Sequence, residues 1–341
     1  MTELHANSAM AREIVEIPSM SEHLLSRAEL FAEIASRIEK VEPRIVVLCG
    51  RGSSGHVGVY LRYLFETRLG WLTSAAAPSV MTAYQRPPDF REALFIVISQ
   101  SGRSPDLVAS TEIARKAGAL TLAIVNDESS PAASAAELVL SIGAGPEHAV
   151  AATKTVALSM IAGAKLVATL AGDDALHEGL GELPPRFLSA LGCDWRPWAE
   201  KTADAPAAFI IGRGYSLGCA REIALKTTEI LRVPAMGYSA AELRHGPRTA
   251  VTPSTPVLVL QQNDEARASV DDLVRDLREG GEEVFSAGGP HGLLPWIGDR
   301  HPACDPIVML VPTYRAIEQV ARRRGLDPDN PPRLSKVTRT L

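Results

Sequence analysis

Short, nearly continuous apolar runs alternate along this chain with longer stretches in which apolar side chains return every three or four positions. The runs are Arg44–Cys49 (RIVVLC), Leu94–Ile98, Leu120–Val125, Leu138–Ile142, Ala207–Ile211, Pro256–Leu260, Val284–Ser286 and Ile307–Val311. Runs of this kind suit parallel strands buried on both faces. Between them, helical spacing predicts helices over 21–40 (apolar at Leu24, Leu25, Ala28, Leu30, Ile34 and Ile38), Val57–Leu69, Pro105–Ala117, Ala149–Leu170, Gly218–Leu231, Ser269–Glu279 and Thr313–Arg324. Met10–Pro18 reads as a short helix that Pro18 ends. Strands alternating with helices predict an α/β fold of doubly wound parallel sheets.

The pattern occurs twice. An apolar strand, a glycine turn and a helix appear as LCGRGSS at Leu48–Ser54 and as IIGRGYS at Ile210–Ser216. Self-similarity at a period of about 160 residues predicts two pseudo-symmetric domains of one fold. Residues 1–30 form an N-terminal arm in this reading, 31–178 a first domain, 179–326 a second domain, and 327–341 a Pro-rich tail. Pro184 and Pro185, within Leu183–Arg196, break the periodicity just after the boundary. In open parallel sheets ligands bind beyond the carboxyl ends of the strands, where both glycine turns fall. Neither turn is a full dinucleotide fingerprint, and residues 72–78 end in Ala-Ala-Ala-Pro with no acidic residue closing a strand, which argues against a nicotinamide cofactor.

Leu94–Asp106 (LFIVISQSGRSPD) is the most informative stretch. Its apolar run stops at Ile98, and Ser99, Gln100, Ser101, Gly102 and Ser104 follow before a helix opens. Hydroxyls and backbone N–H groups at a helix start can cradle an anion. A turn of serine hydroxyls suits a sugar phosphate better than a nucleoside triphosphate with its metal. The alternative is an ordinary strand–helix turn with Ser104 as N-cap.

Composition narrows the classes. The 341 residues are 46% hydrophobic, enough for two domain cores, and the net charge of -5 argues against nucleic acid. No apolar run approaches a membrane span, and the first 18 residues lack a signal-peptide core. The four cysteines, Cys49, Cys193, Cys219 and Cys304, form no CxxC pair, and the histidines show no HxH or HExxH spacing. A metal-free protein of a reducing cytoplasm is expected.

A few polar groups carry candidate chemistry. Lys226 and Glu229 share one helix face, either as a surface pair or as a carboxylate base beside a cation. His245 precedes a Gly-Pro break, where a lone histidine is commonly a loop residue. Lys336 lies in the tail, where spacing alone gives it no role beyond solvation.

In order along the chain, MAREIVEIP, CGRGSS, SQSGRSPD, EHAVAATK (Glu147–Lys154), GRGYS with ALKTTE (Ala224–Glu229), AAELRHGP (Ala240–Pro247) and PPRLSKVT (Pro331–Thr338) resemble the tandem sugar isomerase (SIS) domain family. The likeness, from about Met10 to Lys336, is to the isomerase half of the glutamine–fructose-6-phosphate aminotransferases. It implies that Ser53, Ser54, Ser99, Gln100, Ser101, Ser104, Val150 and Ala152 contact the phosphate and sugar. Glu229 would move a proton between C1 and C2 of the open-chain sugar, with Lys226 in the same site. His245 would open the ring, delivered across the interface of a homodimer. Lys336 would form a Schiff base, which a buried amine near a chain end can do.

The sequence departs from the family in three respects. It has no counterpart of the aminotransferase's glutaminase domain, so glutamine hydrolysis is not expected. Arg51 and Gly52 stand where the family turn carries hydroxyls, and Ala152 replaces a serine. The expected activity is that of a phosphosugar aldose–ketose isomerase and deaminase. It would convert glucosamine 6-phosphate to fructose 6-phosphate and ammonia without a cofactor, since the substrate carbonyl or imine serves as electron sink. A fructosyl-amine 6-phosphate deglycase, an ammonia-dependent glucosamine-6-phosphate synthase and a non-catalytic phosphosugar sensor are the alternatives. Sensors of this family usually carry a helix-turn-helix domain, for which the 35 or so residues before the first strand are too few.

Overall fold

The computed structural model describes residues 8–290 and 292–337. The first seven residues of the arm and Thr338, which ends the PPRLSKVT motif, lie outside the described residues. Two parallel sheets form, as the alternation predicts. The first contains β1 (Ile45–Cys49), β2 (Leu72–Ala75), β3 (Ala93–Ser99), β4 (Leu120–Val125) and β5 (Leu138–Ser141) in the order β2-β1-β3-β4-β5. The second contains β6 (Ala208–Gly212), β7 (Ala235–Ser239), β8 (Val257–Leu260) and β9 (Val284–Ala287) in the order β7-β6-β8-β9. Every strand pair is parallel. In each sheet the order reverses beside the first strand, which creates a crevice at the carboxyl ends of β1 and β3 and another at those of β6 and β8.

The chain divides into two compact units, each discontinuous in sequence. One contains the first sheet with Ser19–Pro146, Lys154–Gly181 and tail residues 335–337. The other contains the second sheet with arm residues 8–18, Glu147–Thr153 and Glu182–Leu334.

Strand β3 is buried at every position, as its apolar run requires. Fully burying a side chain such as Leu94, Phe95 or Ile96 is worth about 1.5–3 kcal/mol. Phe95 also meets Phe90 edge to face at 5.6 Å. The edge strands β2 and β7 were not expected, because neither has an apolar run. Leu72–Ala75 is mostly exposed and Ala235–Ser239 half-buried.

Helices depart from expectation in four places. Ile307–Val311 is not a strand but part of a helix, Asp305–Arg323. Its apolar run continues at helical spacing through Tyr314, Ile317 and Val320, all buried, and a short apolar run alone cannot distinguish a buried strand from a buried helix. The arm helix, Ala9–Leu25, runs through Pro18. The lost backbone bond costs roughly 3 kcal/mol, offset by burial of Met10, Ile14, Ile17 and Leu24. Pro184 and Pro185 open a helix, Leu183–Ala190, where a missing N–H leaves no bond unmade. Helix Lys154–Ala171 starts later than expected, and by length and composition it could cross a membrane, which corrects the expectation that no stretch approaches a span. It is mostly buried in its unit, against helices Ala28–Glu39 and Gly52–Leu64.

Candidate active site

In the first unit the chemistry gathers at the crevice between β1 and β3. These strands run side by side with Cys49 opposite Val97, so the turns that follow them leave the sheet at one edge. Gly52, at φ +48°, starts helix Gly52–Leu64, and Ser53 and Ser54 stand half-buried in its first turn. A helix start places backbone N–H groups beside such hydroxyls.

The serine turn is built from within. Ser99, buried, accepts a hydrogen bond from the N–H of Gly102 at 3.1 Å, and Ser101 Oγ accepts from the N–H of Arg103 at 3.3 Å. Gly102 adopts φ +62°, and a Cβ there would overlap Ser130. Only glycine satisfies both constraints. Ser104 occupies the N-cap position of helix Pro105–Lys116, but its hydroxyl makes no capping bond. The N-cap reading therefore holds for the position and not for the side chain. Gln100 is half-buried, and its carbonyl accepts from the N–H of Asn126 at 3.3 Å.

The cations here are matched by carboxylates. Arg51, in the turn position where a hydroxyl was expected, pairs through Nε with Asp106 Oδ2 at 2.9 Å, and Asp106 is buried. Arg103 pairs with Asp127 at 2.9 Å. Burial, with Asp106 nearby, pushes the Cys49 thiol up to about 12, so it stays protonated at neutral pH. Lys336, half-buried, belongs to this unit.

In the second unit helix Ser216–Lys226 passes directly into a π-helical turn, Thr227–Leu231. Such turns recur at functional sites because they displace side chains from regular helical spacing. Glu229 lies in this turn, its side chain 19% exposed, and Lys226 Nζ donates to its Oε2 at 2.5 Å. Lys226 is only 1% exposed. The pair is thus a partly exposed carboxylate on a buried ammonium, not a surface pair.

The same ammonium lies 3.4 Å from Glu222 Oε1, which is fully buried, and Tyr314 donates its hydroxyl to that oxygen at 3.4 Å. Burial works to lower Lys226, but the carboxylates of Glu222 and Glu229 outweigh it and raise the lysine above its ordinary value. Burial, followed by the charge of Glu222, raises Tyr314 well above the usual phenol range. Glu222 was missed in the sequence, although it lies one helical turn before Lys226 on the same face. Tyr314 had no local signal, since its partner is far away in sequence.

The loop Glu147–Thr153 belongs to this unit. Glu13 of the arm accepts from the N–H groups of His148 and Ala149, and Glu147 accepts from that of Thr153 at 3.1 Å. The N–H of Val150 donates to the carbonyl of Asp329 at 2.9 Å, and Ala152 is half-buried. The Asp329 carboxylate accepts from the N–H groups of Ala9 and Met10, both at 2.8 Å, pinning the start of the arm helix. His245 is exposed at the end of helix Ala240–Arg244. Among the described residues its ring bonds neither Lys226 nor Glu229. No three His, Cys, Asp or Glu side chains gather as a metal site among them either.

This arrangement can bind an anion at the serine turn and move a proton at Glu229. Known proteins resemble the chain in sequence and fold. A glutamine–fructose-6-phosphate aminotransferase [isomerizing] from Methanothermobacter thermautotrophicus is 33% identical over 96% of this chain and 56% of its own length. The Escherichia coli K12 protein of the same name is 30% identical over 96% and 58%. The chain therefore spans about half the length of the curated relatives it matches. Among solved structures, a provisionally assigned phosphosugar isomerase from Silicibacter pomeroyi superposes with a TM-score of 0.90 and 38% identity, over 95% of this chain and all of that one. Glucosamine-6-phosphate deaminase from Thermotoga maritima gives 0.77 and 25%, over 98% and 100%. The SIS domain profile matches residues 40–168 and 202–286, more than half of the sequence and spanning both sheets, and the chain belongs to the SIS domain family.

Proposed function

We propose that this protein is a phosphosugar isomerase that acts on amino sugars, converting glucosamine 6-phosphate to fructose 6-phosphate and ammonia. One observation carries the reading: a partly exposed carboxylate, Glu229, bonded to a buried ammonium at 2.5 Å on a π-helical turn. A carboxylate so placed can take a proton from one carbon of an open-chain sugar and return it to the next. Ser99, Ser101 and Ser104, with Gln100 and with Ser53 and Ser54, would anchor the phosphate through hydroxyls and N–H groups. Val150 and Ala152 would line the sugar. The likeness to the Thermotoga deaminase supports the amino-sugar substrate.

Three roles complete the proposal. His245 assists ring opening in the neighbouring subunit of a homodimer. Lys336 takes the place of ammonia on the C2 imine that the proton transfer leaves, and water then frees fructose 6-phosphate and restores the lysine amine. Lys226 fixes Glu229. The substrate carbonyl or imine takes up the electron pair released when the C–H bond breaks, so the residues named suffice for the proton transfer.

The test is ammonia release from glucosamine 6-phosphate, measured beside a panel of other hexosamine and fructosyl-amine 6-phosphates, with Glu229→Gln as control. Release from the first substrate is expected. Release of an amine from the fructosyl-amines alone would replace the reading with a deglycase, and tight binding of fructose 6-phosphate without turnover would replace it with a sensor. Mixing inactive His245→Ala and Glu229→Gln proteins tests the shared site. Random pairing should restore about a quarter of wild-type activity if His245 serves its neighbour. No recovery in mixtures shown to exchange subunits would place His245 in its own subunit's chemistry.

A further inference from the structure

The proposed base does not stand on a simple ion pair. Lys226 sits between two carboxylates, Glu229 at 2.5 Å and Glu222 at 3.4 Å, and the second of these is fully buried. Tyr314 reaches Glu222 from helix Asp305–Arg323, and it too is fully buried. The titratable groups facing this cluster are Glu222 and Cys219 on the helix of Lys226, Glu229 on the π-helical turn, Tyr314 on helix Asp305–Arg323, and Glu147 of the loop before helix Lys154–Ala171. Burial and the charge of Glu222 keep the Cys219 thiol protonated, and Tyr314 remains a neutral donor.

The charges can then be followed through proton transfer. At rest the trio holds one ammonium and two carboxylates. When a substrate C–H bond breaks, its proton goes to Glu229 and the electron pair stays on the sugar as an enediol or enamine. Glu229 becomes neutral, and what remains inside is Glu222 against Lys226, a matched pair. Without Glu222 the same step would leave a bare ammonium in the interior, an arrangement strongly disfavoured. Lys226 would then cling to an ionised Glu229 and oppose its protonation.

We propose that Glu222, oriented by Tyr314, is a positioning residue that neutralises the buried ammonium of Lys226 so that Glu229 is free to accept and return the substrate proton. The inference rests on Glu229 being the base, and its test has one arm that needs no activity. Glu222→Gln keeps shape and hydrogen bonding while removing the charge, and Tyr314→Phe removes only the hydroxyl.

In the first arm the melting temperature of each protein is followed from pH 7 to 11. Loss of the Glu222 charge should lower the melting temperature from pH 7 to 9 and flatten the alkaline fall, so that the gap to wild type narrows above about pH 10, and Tyr314→Phe should flatten the fall in the phenol's part of the range. A parallel drop at every pH would show a merely structural role and overturn the proposal. In the second arm, kcat and KM are measured against pH on the substrate that is turned over. Glu222→Gln should lower kcat at least tenfold with KM little changed, and should move the acid limb of the profile to lower pH. An unchanged kcat and profile would also overturn it. Should Glu222→Gln not fold, Tyr314→Phe decides by the same readouts. Should the wild-type enzyme turn over no sugar phosphate, the functional reading falls while the first arm still judges the charge pairing.

Discussion

The two repeats carry nearly the same backbone to different chemical ends. Gly50 and Gly52 at the end of β1 match Gly212 and Gly214 at the end of β6, with Gly52 and Gly214 both at positive φ. The following helix ends in a π-helical turn in each repeat, Phe65–Leu69 and Thr227–Leu231, and each turn closes on a left-handed residue, Gly70 and Arg232. Along the matching helices Tyr60 stands for Glu222, Leu64 for Lys226 and Thr67 for Glu229. Beyond β3 and β8 the contrast reverses. The first repeat has the serine turn, whereas the second has Gln261-Gln262-Asn263-Asp264, whose side chains bond one another. Gln262 donates to Asp264 and to the carbonyl of Arg213, both at 2.7 Å, and Gln261 donates to Asp271 at 2.5 Å. Burial raises the Asp264 carboxyl, and no anion would settle beside it once ionised. Duplication of a scaffold thus fixes positions while the side chains differ, and in the proposed function one repeat grips and the other reacts.

The largest effect should come from exchanging the paired positions on the π-helical turns. Glu229→Gln should lower kcat by about 10²–10⁴-fold, the usual contribution of a positioned base. Thr67→Val at the matching place should leave kcat unchanged in the same assay. Equal losses in both would show that the turns matter for the backbone and not for their side chains.

Next in size is the contrast between the two post-strand turns. Gly102→Ala should force the serine turn apart against Ser130, and Ser101→Ala or Ser104→Ala should each remove one donor to a phosphate. A hydrogen bond to a charged group is worth about 1.5–3 kcal/mol, so KM should rise roughly 10–100-fold per serine with kcat nearly kept. Gln262→Ala in the second repeat should leave KM where it was. Calorimetric titration with a hexose 6-phosphate would show whether the loss lies in binding.

A smaller effect separates the apolar helix of the first repeat from the charged one of the second. Lys226 is raised in the folded state and Tyr314 is raised further, so above about pH 10 the native protein keeps protons that the unfolded chain releases. Stability from both groups is full below the unfolded values and falls as pH rises beyond them. Thermal melts at pH 8, 9, 10 and 11 should therefore be level at first and then decline, and a Tyr314→Phe protein should decline less steeply in the phenol's part of that range.

How far the sequence reveals all this depends on the range of each interaction. Strands β1, β3, β4, β6 and β8 were legible because burial on both faces requires an apolar run, and β2 and β7 were not, since an edge strand has no such need. Lys226 and Glu229 were visible as a pair because one helix carries both. Their burial was not, because it depends on helix Asp305–Arg323, itself misread in part as a strand. The serine turn could be placed from its residues alone, but Arg51 reaching Asp106, and Ser130 closing against Gly102, are contacts between distant segments that no local pattern encodes. Likewise Glu147–Thr153 lies in the unit of Glu229 and bonds Glu13 and Asp329, which the spacing of motifs does not show.

The smallest effect concerns the residues that close the two π-helical turns. Gly70 holds φ +67° at no steric cost, whereas Arg232 holds φ +59° with a Cβ pressed toward its own backbone. For an L-residue this conformation costs roughly 1–2 kcal/mol. The side chain of Arg232 is exposed, so little packing offsets the cost. Putting the first repeat's residue into the second, as Arg232→Gly, should relieve that strain but also loosen the unfolded chain, leaving a net gain of about 0.5–1 kcal/mol. Chemical denaturation would read it as a higher midpoint with an unchanged slope. The strain lies three residues from Glu229, and strained backbone near functional groups often holds them in place. If Arg232→Gly gains stability and loses kcat, the arginine's strain serves the geometry of the turn. If it gains stability at constant kcat, the turn is set by the backbone alone, as it is in the repeat that carries no base.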